Sequence, residues 1–259
     1  MTGPRALLAL GLSFAAFAAT PSAANMLRED PLPRVEDALC PGVIGMKTDT
    51  ALQLLDRVRY NAQRLGIRLD DPETCSPNLL IAFVDSGQDS VAALMRSQPR
   101  LFETMSTPDR RALTTSDKPV RAFSYVATRT RDGMWVPPQE NLVQIPRATM
   151  WNAHSKIYSP IRQDILSTVV IFDAKKVGGL TTTQLADYAS MRSLAVDFSA
   201  VPDMRESILG LFDADANRPS ELTATDLEFL KSLYSGIPNL PASAKNRSIE
   251  RKFEEDGGT

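Results

Sequence analysis

Two short apolar runs most constrain what this 259-residue chain folds into. Residues 165–172 read Ile-Leu-Ser-Thr-Val-Val-Ile-Phe, and residues 78–84 read Asn-Leu-Leu-Ile-Ala-Phe-Val. Runs of this length and composition, bounded by turn residues, mark buried strands. Each leads into a helical pattern. Asp85-Ser86-Gly87 opens a helix to about Arg96, and Gly178-Gly179 precedes a helix over residues 180–195, with Thr181–Thr183 offering caps. Residues 49–65 place Leu52, Leu55, Val58, Ala62 and Leu65 on one helical face, with Gly66 as a stop. Residues 120–128 alternate as a strand. Asp132-Gly133 is a turn, and Met134-Trp135-Val136 pairs back as a hairpin. A last helix starts at Thr223, with Asp226 completing a capping-box-like start. It carries a stripe of Leu227, Leu230, Leu233 and Tyr234 and ends at Pro238. The expected class is α+β, one unit with an α/β amino-terminal half (25–145) and a second half (146–240). Residues 241–259 are charged, with only Ile249 and Phe253 as large apolar residues, and are expected as a disordered tail.

The amino terminus sets the compartment. Residues 1–5 carry one positive charge, and 6–19 form an apolar run too short to span a bilayer. Ser22 and Ala24 sit at −3 and −1 of a cut after Ala24, so residues 1–24 read as a signal peptide. An uncleaved membrane anchor is the alternative. A lipoprotein is disfavoured because the first cysteine is Cys40. The expected location is the periplasm or outside the cell, with no membrane span after signal removal. The mature chain would carry 28 basic against 31 acidic residues, which argues against nucleic acid as a partner. Cys40 and Cys75 are the only cysteines, and an even count in an exported chain reads as a disulfide. Closing a loop of about 35 residues is worth roughly 3–4 kcal/mol in the chain-entropy model. A redox pair or a metal site is the other reading of two thiols.

The second half carries a resemblance. Strand, glycine turn and helix are followed by Ser207-Ile208-Leu209. Then comes Leu222-Thr223-x-x-Asp226-x-x-x-Leu230-Lys231-x-Leu233-Tyr234. This order resembles the end of a metzincin-type (zincin) metalloprotease. It is also similar to a family of exported proteobacterial proteins of unknown function. In metzincins the helix carries H-E-x-x-H-x-x-G-x-x-H. The resemblance covers about residues 165–234. By spacing it sets the three metal ligands on Asp187, Met191 and Asp197, the catalytic Glu on Tyr188, the glycine on Leu194, and the turn methionine on Leu209. Every one of these departs from the family. The chain has one histidine, His154, outside the matching segment. Zinc prefers imidazole and thiolate to a thioether, and a phenol is no carboxylate base. The resemblance therefore implies a degenerate site with no metal and no cofactor. A cleft would remain beside Gln184, Asp187, Tyr188, Met191 and Asp197. In that reading Asp187→Ala leaves stability nearly unchanged. The bland reading is that these are ordinary helix residues, with Tyr188 and Met191 in the core.

Other chemistry is thin. Asp213-x-Asp215-x-Asn217 opens like a calcium loop, but Arg218 and Ala224 stand where glycine and a bidentate Glu belong. Lys175–Gly179 lacks the P-loop order, no G-x-S-x-G elbow exists, and a triad would have to use His154. A glycosidase acid pair is set by spatial separation and stays open. The expected function is an exported, non-catalytic binding protein. Its remnant cleft would hold a peptide, an envelope polymer or a protein partner. The alternative is a metal-independent envelope hydrolase.

Overall fold

The longer apolar run becomes β4 (Ile161–Asp173), the interior strand that joins the two halves of the chain. The computed structural model describes residues 30–103, 105–137, 158–213 and 217–257. Its four strands form one mixed sheet in the order β1-β2-β4-β3. β1 (Pro41–Ile44) runs parallel to β2 (Leu79–Val84), and β2 runs parallel to β4. β3 (Val120–Thr130) lies antiparallel to β4 at the edge. Among the described residues six helices complete the α+β fold. They are α1 (Thr48–Arg64), α2 (Gly87–Ser97), α3 (Thr107–Thr115), α4 (Thr182–Leu194), α5 (Ala224–Tyr234) and α6 (Ala242–Gly257). Two 3-10 turns lie at Pro99–Phe102 and Ile208–Phe212.

The near-continuous apolar character of β2 and β4 follows from burial on both faces. Leu79, Ile81, Phe83, Val170 and Phe172 join the main core with residues of α1, α4 and α5. Their alternates Ala82, Val169 and Ile171 join a second core with Val91, Phe102 and Phe123. Phe83 and Phe172 stack with ring centroids 4.9 Å apart. The 134–136 segment pairs back on β3, with the Thr130 N–H on the Met134 carbonyl at 2.8 Å and the Val136 N–H on the Thr128 carbonyl at 3.1 Å.

Cys40 and Cys75 are bonded, with Cα atoms 6.2 Å apart. The bridge ties the start of β1 to the approach to β2, where the Cys40 N–H also donates to Asn78 Oδ1 at 2.8 Å. Gly45 follows β1 with φ +82°, and a Cβ there would lie 2.0 Å from the Phe83 carbonyl oxygen. Only glycine allows the chain to leave β1 so close to β2. Among the described residues no helix is long and apolar enough to cross a membrane.

The charged carboxyl-terminal segment corrects an expectation. It is not a disordered tail but helix α6, with Ile249 fully buried in the main core and Phe253 packed against it. Lys245 on the same helix is 7% exposed and donates to the Ser235 carbonyl at 2.6 Å. Burial holds its ammonium down to about 8 from the ordinary 10.5, with help from the neighbouring Arg34 and Lys252 charges. The unfolded chain therefore binds a proton between those two pH values that the folded chain has released. Stability should rise with pH across that window, and Lys245→Met should flatten the rise. Urea midpoints at pH 7.5, 9 and 10 for both proteins check it.

Candidate functional site

Helix α4 begins where the resemblance puts its active-site helix, directly after β4 and the glycine turn. Thr181 caps it: its Oγ1 accepts from the Gln184 N–H at 3.1 Å, and the Gln184 side chain accepts from the Thr181 N–H at 3.0 Å. Gln184 Nε2 then donates to the Pro219 carbonyl at 2.9 Å. Gln184 is a capping residue that pins a loop.

Asp187, one turn on, is fully buried. Its carboxylate accepts four hydrogen bonds, each 2.7 Å long. Two come from Arg57 on α1, one from Asn61 on α1 and one from the Leu222 N–H. Arg57 also reaches Glu221 at 2.9 Å. The Asp187 hydrogen bond raises the Arg57 pKa still further, against the opposing cost of burial. Asn61 Nδ2 continues to Ser190 Oγ at 3.0 Å. This network locks α4 to α1 and to the loop before α5.

The other expected residues scatter. Tyr188 packs edge-on to Phe172 and Phe212, with centroids 6.1 and 5.0 Å away. Burial pushes its phenol up, away from any role as a base at neutral pH. Met191 is fully buried in the main core. Asp197 is exposed in a turn, accepting from the Ser199 N–H at 2.8 Å. The structure thus corrects the remnant cleft at these positions. Asp187 and Met191 face the interior, and Asp197 faces solvent.

This donor set does not fit a zinc ion. Asp187 already accepts four hydrogen bonds, Met191 is packed in the core, and no imidazole stands on the helix. Among the described residues no three of His, Cys, Asp and Glu group as metal ligands. His154 and part of the calcium-like loop, residues 214–216, lie outside the described residues.

The rest of the motif is a scaffold. Asp226 is fully buried and accepts from Ser207 Oγ, from the Ile208 N–H at 2.9 Å, and from the Thr223 N–H and Oγ1 at 3.0 Å each. One carboxylate therefore both completes the Thr223 capping box of α5 and holds the 3-10 turn Ile208–Phe212. Tyr234 closes the far end. Its hydroxyl donates to the Leu194 carbonyl at 2.8 Å and accepts from the Val35 N–H at 3.0 Å.

A concave surface lies elsewhere, at the outer edge of β3. A groove of about 390 Å³ runs there, with Ala122, Phe123, Ser124 and Val126 as its floor. One wall is α3 and its approach, through Met105, Asp109, Ala112 and Leu113. The other is the end of α4 and the loop after it, through Arg192, Ala195, Val196 and Phe198. Arg121 fixes the first wall. Its guanidinium donates to the carbonyls of Leu113, Ser116 and Lys118, and to Asp173 at 3.3 Å. A second groove of about 400 Å³ lies between Ser199–Pro202 and Glu250, Phe253 and Glu254 of α6. None of Gln184, Asp187, Tyr188, Met191 and Asp197 lines either groove.

The floor has a definite backbone chemistry. The Asp173 N–H bonds the Pro119 carbonyl on the inner side of β3, while Thr128 and Thr130 bond outward to residues 134–136. In an antiparallel ladder, alternate residues turn their peptide groups the same way. The N–H and C=O groups of Ala122, Ser124 and Val126 therefore point outward into the groove. Among the described residues no backbone group pairs with them there.

No family model matches the chain, and no curated protein or solved structure matches it.

Proposed function

We propose that this is an exported binding protein that takes up an extended peptide segment along the outer edge of β3 without cleaving it. The observation that carries the reading is the row of outward peptide groups at Ala122, Ser124 and Val126, set between two walls. A strand edge of this kind offers main-chain hydrogen bonds to an added strand, and the walls offer pockets for its side chains. A volume near 390 Å³ falls within the range of ligand sites, about 300–1,000 Å³. The floor and the α3 wall are mostly apolar, which suits a peptide better than a glycan. A zincin-like ancestry belongs to the same proposal. Its support is the order β4, glycine turn, α4, 3-10 turn and α5, with Asp226 joining the last two. The bonded cysteines suit an oxidising compartment.

The test uses Ala122→Pro. Proline removes the outward N–H, which the sheet does not use, and places its ring in the groove. A random linear-peptide display library panned on the purified protein should enrich binders that the variant no longer holds, with the urea midpoint little changed. Failure to enrich any binder contradicts the reading, and so does equal binding by the folded variant. Cleavage of the enriched peptides would instead favour the hydrolase.

A further inference from the structure

We propose that Arg192, lying over the Phe198 ring, is the groove's anchor for an acidic side chain. The bound peptide then alternates, with carboxylates toward α4 and apolar residues toward α3. This rests on the reading of the β3 edge as a peptide site. Arg192 sits in the last turn of α4, half-buried on the groove wall. Its guanidinium carbon lies 5.4 Å from the Phe198 ring centroid. Among the described residues its guanidinium makes no hydrogen bond or ion pair, and its contact is with the Phe198 ring. The contrast with Arg57, Arg121, Arg129 and Arg162 is sharp, since each of those is ion-paired to at least one aspartate. A guanidinium held over a ring face, as Arg192 is over Phe198, does not spend its N–H donors on that contact. Those donors match a carboxylate in bidentate geometry. Phe198 is held in turn against Phe229, with centroids 6.1 Å apart, so the platform is anchored to the core.

The opposite wall selects against the same group. Met105, Ala112 and Leu113 are apolar, and Asp109, bonded by Ser106 Oγ at 2.5 Å, repels a second carboxylate. Side chains of an added strand point alternately to the two faces. One register therefore sends alternate side chains to the α4 wall, one of them within reach of Arg192, and the intervening ones to the α3 wall. A chain-terminal carboxylate would lie along the strand axis. Arg192 stands to one side of that axis, where a side chain projects, so the carboxylate is assigned to an Asp or Glu side chain.

The probes are three heptapeptides assayed by fluorescence anisotropy. The first, acetyl-Ser-Val-Glu-Val-Glu-Val-Ser-amide, carries the alternation. The second replaces both Glu by Gln. The third is the Gln peptide with a free carboxyl terminus. The Glu peptide should bind at least about tenfold more tightly than the Gln peptide, in line with charged hydrogen bonds. Added salt should shrink the difference, and Arg192→Gln should abolish it with an unchanged circular dichroism spectrum. Equal binding of the Glu and Gln peptides, lost in Ala122→Pro, overturns the anchor and keeps the groove. A free-acid Gln peptide as tight as the Glu peptide assigns the site to chain termini and overturns the side-chain reading. No binding of any probe overturns both the anchor and the groove.

Discussion

Asp187→Ala should destabilise the protein by about 3–5 kcal/mol, the cost of breaking a buried ion pair. The carboxylate is fully buried, and the substitution strands four donors at once. Arg57 is partly relieved, because its side chain is 22% exposed and keeps Glu221. Asn61, 1% exposed, and the buried Leu222 N–H have no such recourse. Replacing both ends, as Arg57→Met with Asp187→Leu, should cost less than Asp187→Ala alone, since no unpaired charge remains. Urea denaturation of the single and double variants measures this. A single variant within about 0.5 kcal/mol of the parent, the range of a surface change, would show that the network does not hold α4. The sequence suggested such a small effect, because position 187 was read as a cleft residue.

Asp226→Ala should cost about 3 kcal/mol, for a related reason. The loss combines the Asp226 half of the α5 capping box with the stranding of the buried Ile208 N–H and the Ser207 hydroxyl, each unsatisfied buried group costing about 1–3 kcal/mol, while the Thr223 cap itself remains. Asp226→Asn should recover part of this, because one carboxamide oxygen can still serve one of the two partners. Amide hydrogen exchange distinguishes the components. The Ile208 amide should speed up strongly in Asp226→Ala while the middle of α1 stays protected.

The two apolar runs were legible because burial on both faces of β2 and β4 leaves no room for polar alternation. Helix α4 was legible through its cap and α5 through its cap and stripe, while α1 was legible through Val58 and Ala62 only in part, because Leu52 on the expected face is exposed and Leu54 is buried in the core instead. Ser207, Thr223 and Asp226 read as one motif because the Asp226 carboxylate binds both Ser207 and Thr223. Position 187 was misread because its partners Arg57 and Asn61 lie 130 and 126 residues away. No local pattern shows a pairing made across two helices. The tail was misread because charge outweighed a quieter signal, the helical spacing of Ile249 and Phe253, four residues apart. The groove was invisible for a different reason. The alternation of 120–128 identifies a strand, but whether that strand lies inside the sheet or at its edge is a fact of tertiary pairing. Arg192 and Phe198 gain meaning only once that edge is known. The start of α3 did carry a local signal, with Ser106 and Asp109 as a cap and Pro108 in the first turn.

The central claim is that the β3 edge, unpaired at Ala122, Ser124 and Val126 among the described residues, receives a peptide, and backbone amide exchange tests it residue by residue. In the free protein the amides of Ala122, Ser124 and Val126 should exchange much faster than those of Arg121 and Phe123, which face β4. Adding the Glu heptapeptide should slow the outward set and leave the inward set unchanged. Amides at 122, 124 and 126 that are already protected in the free protein, or that remain fast with the peptide bound, would contradict the account.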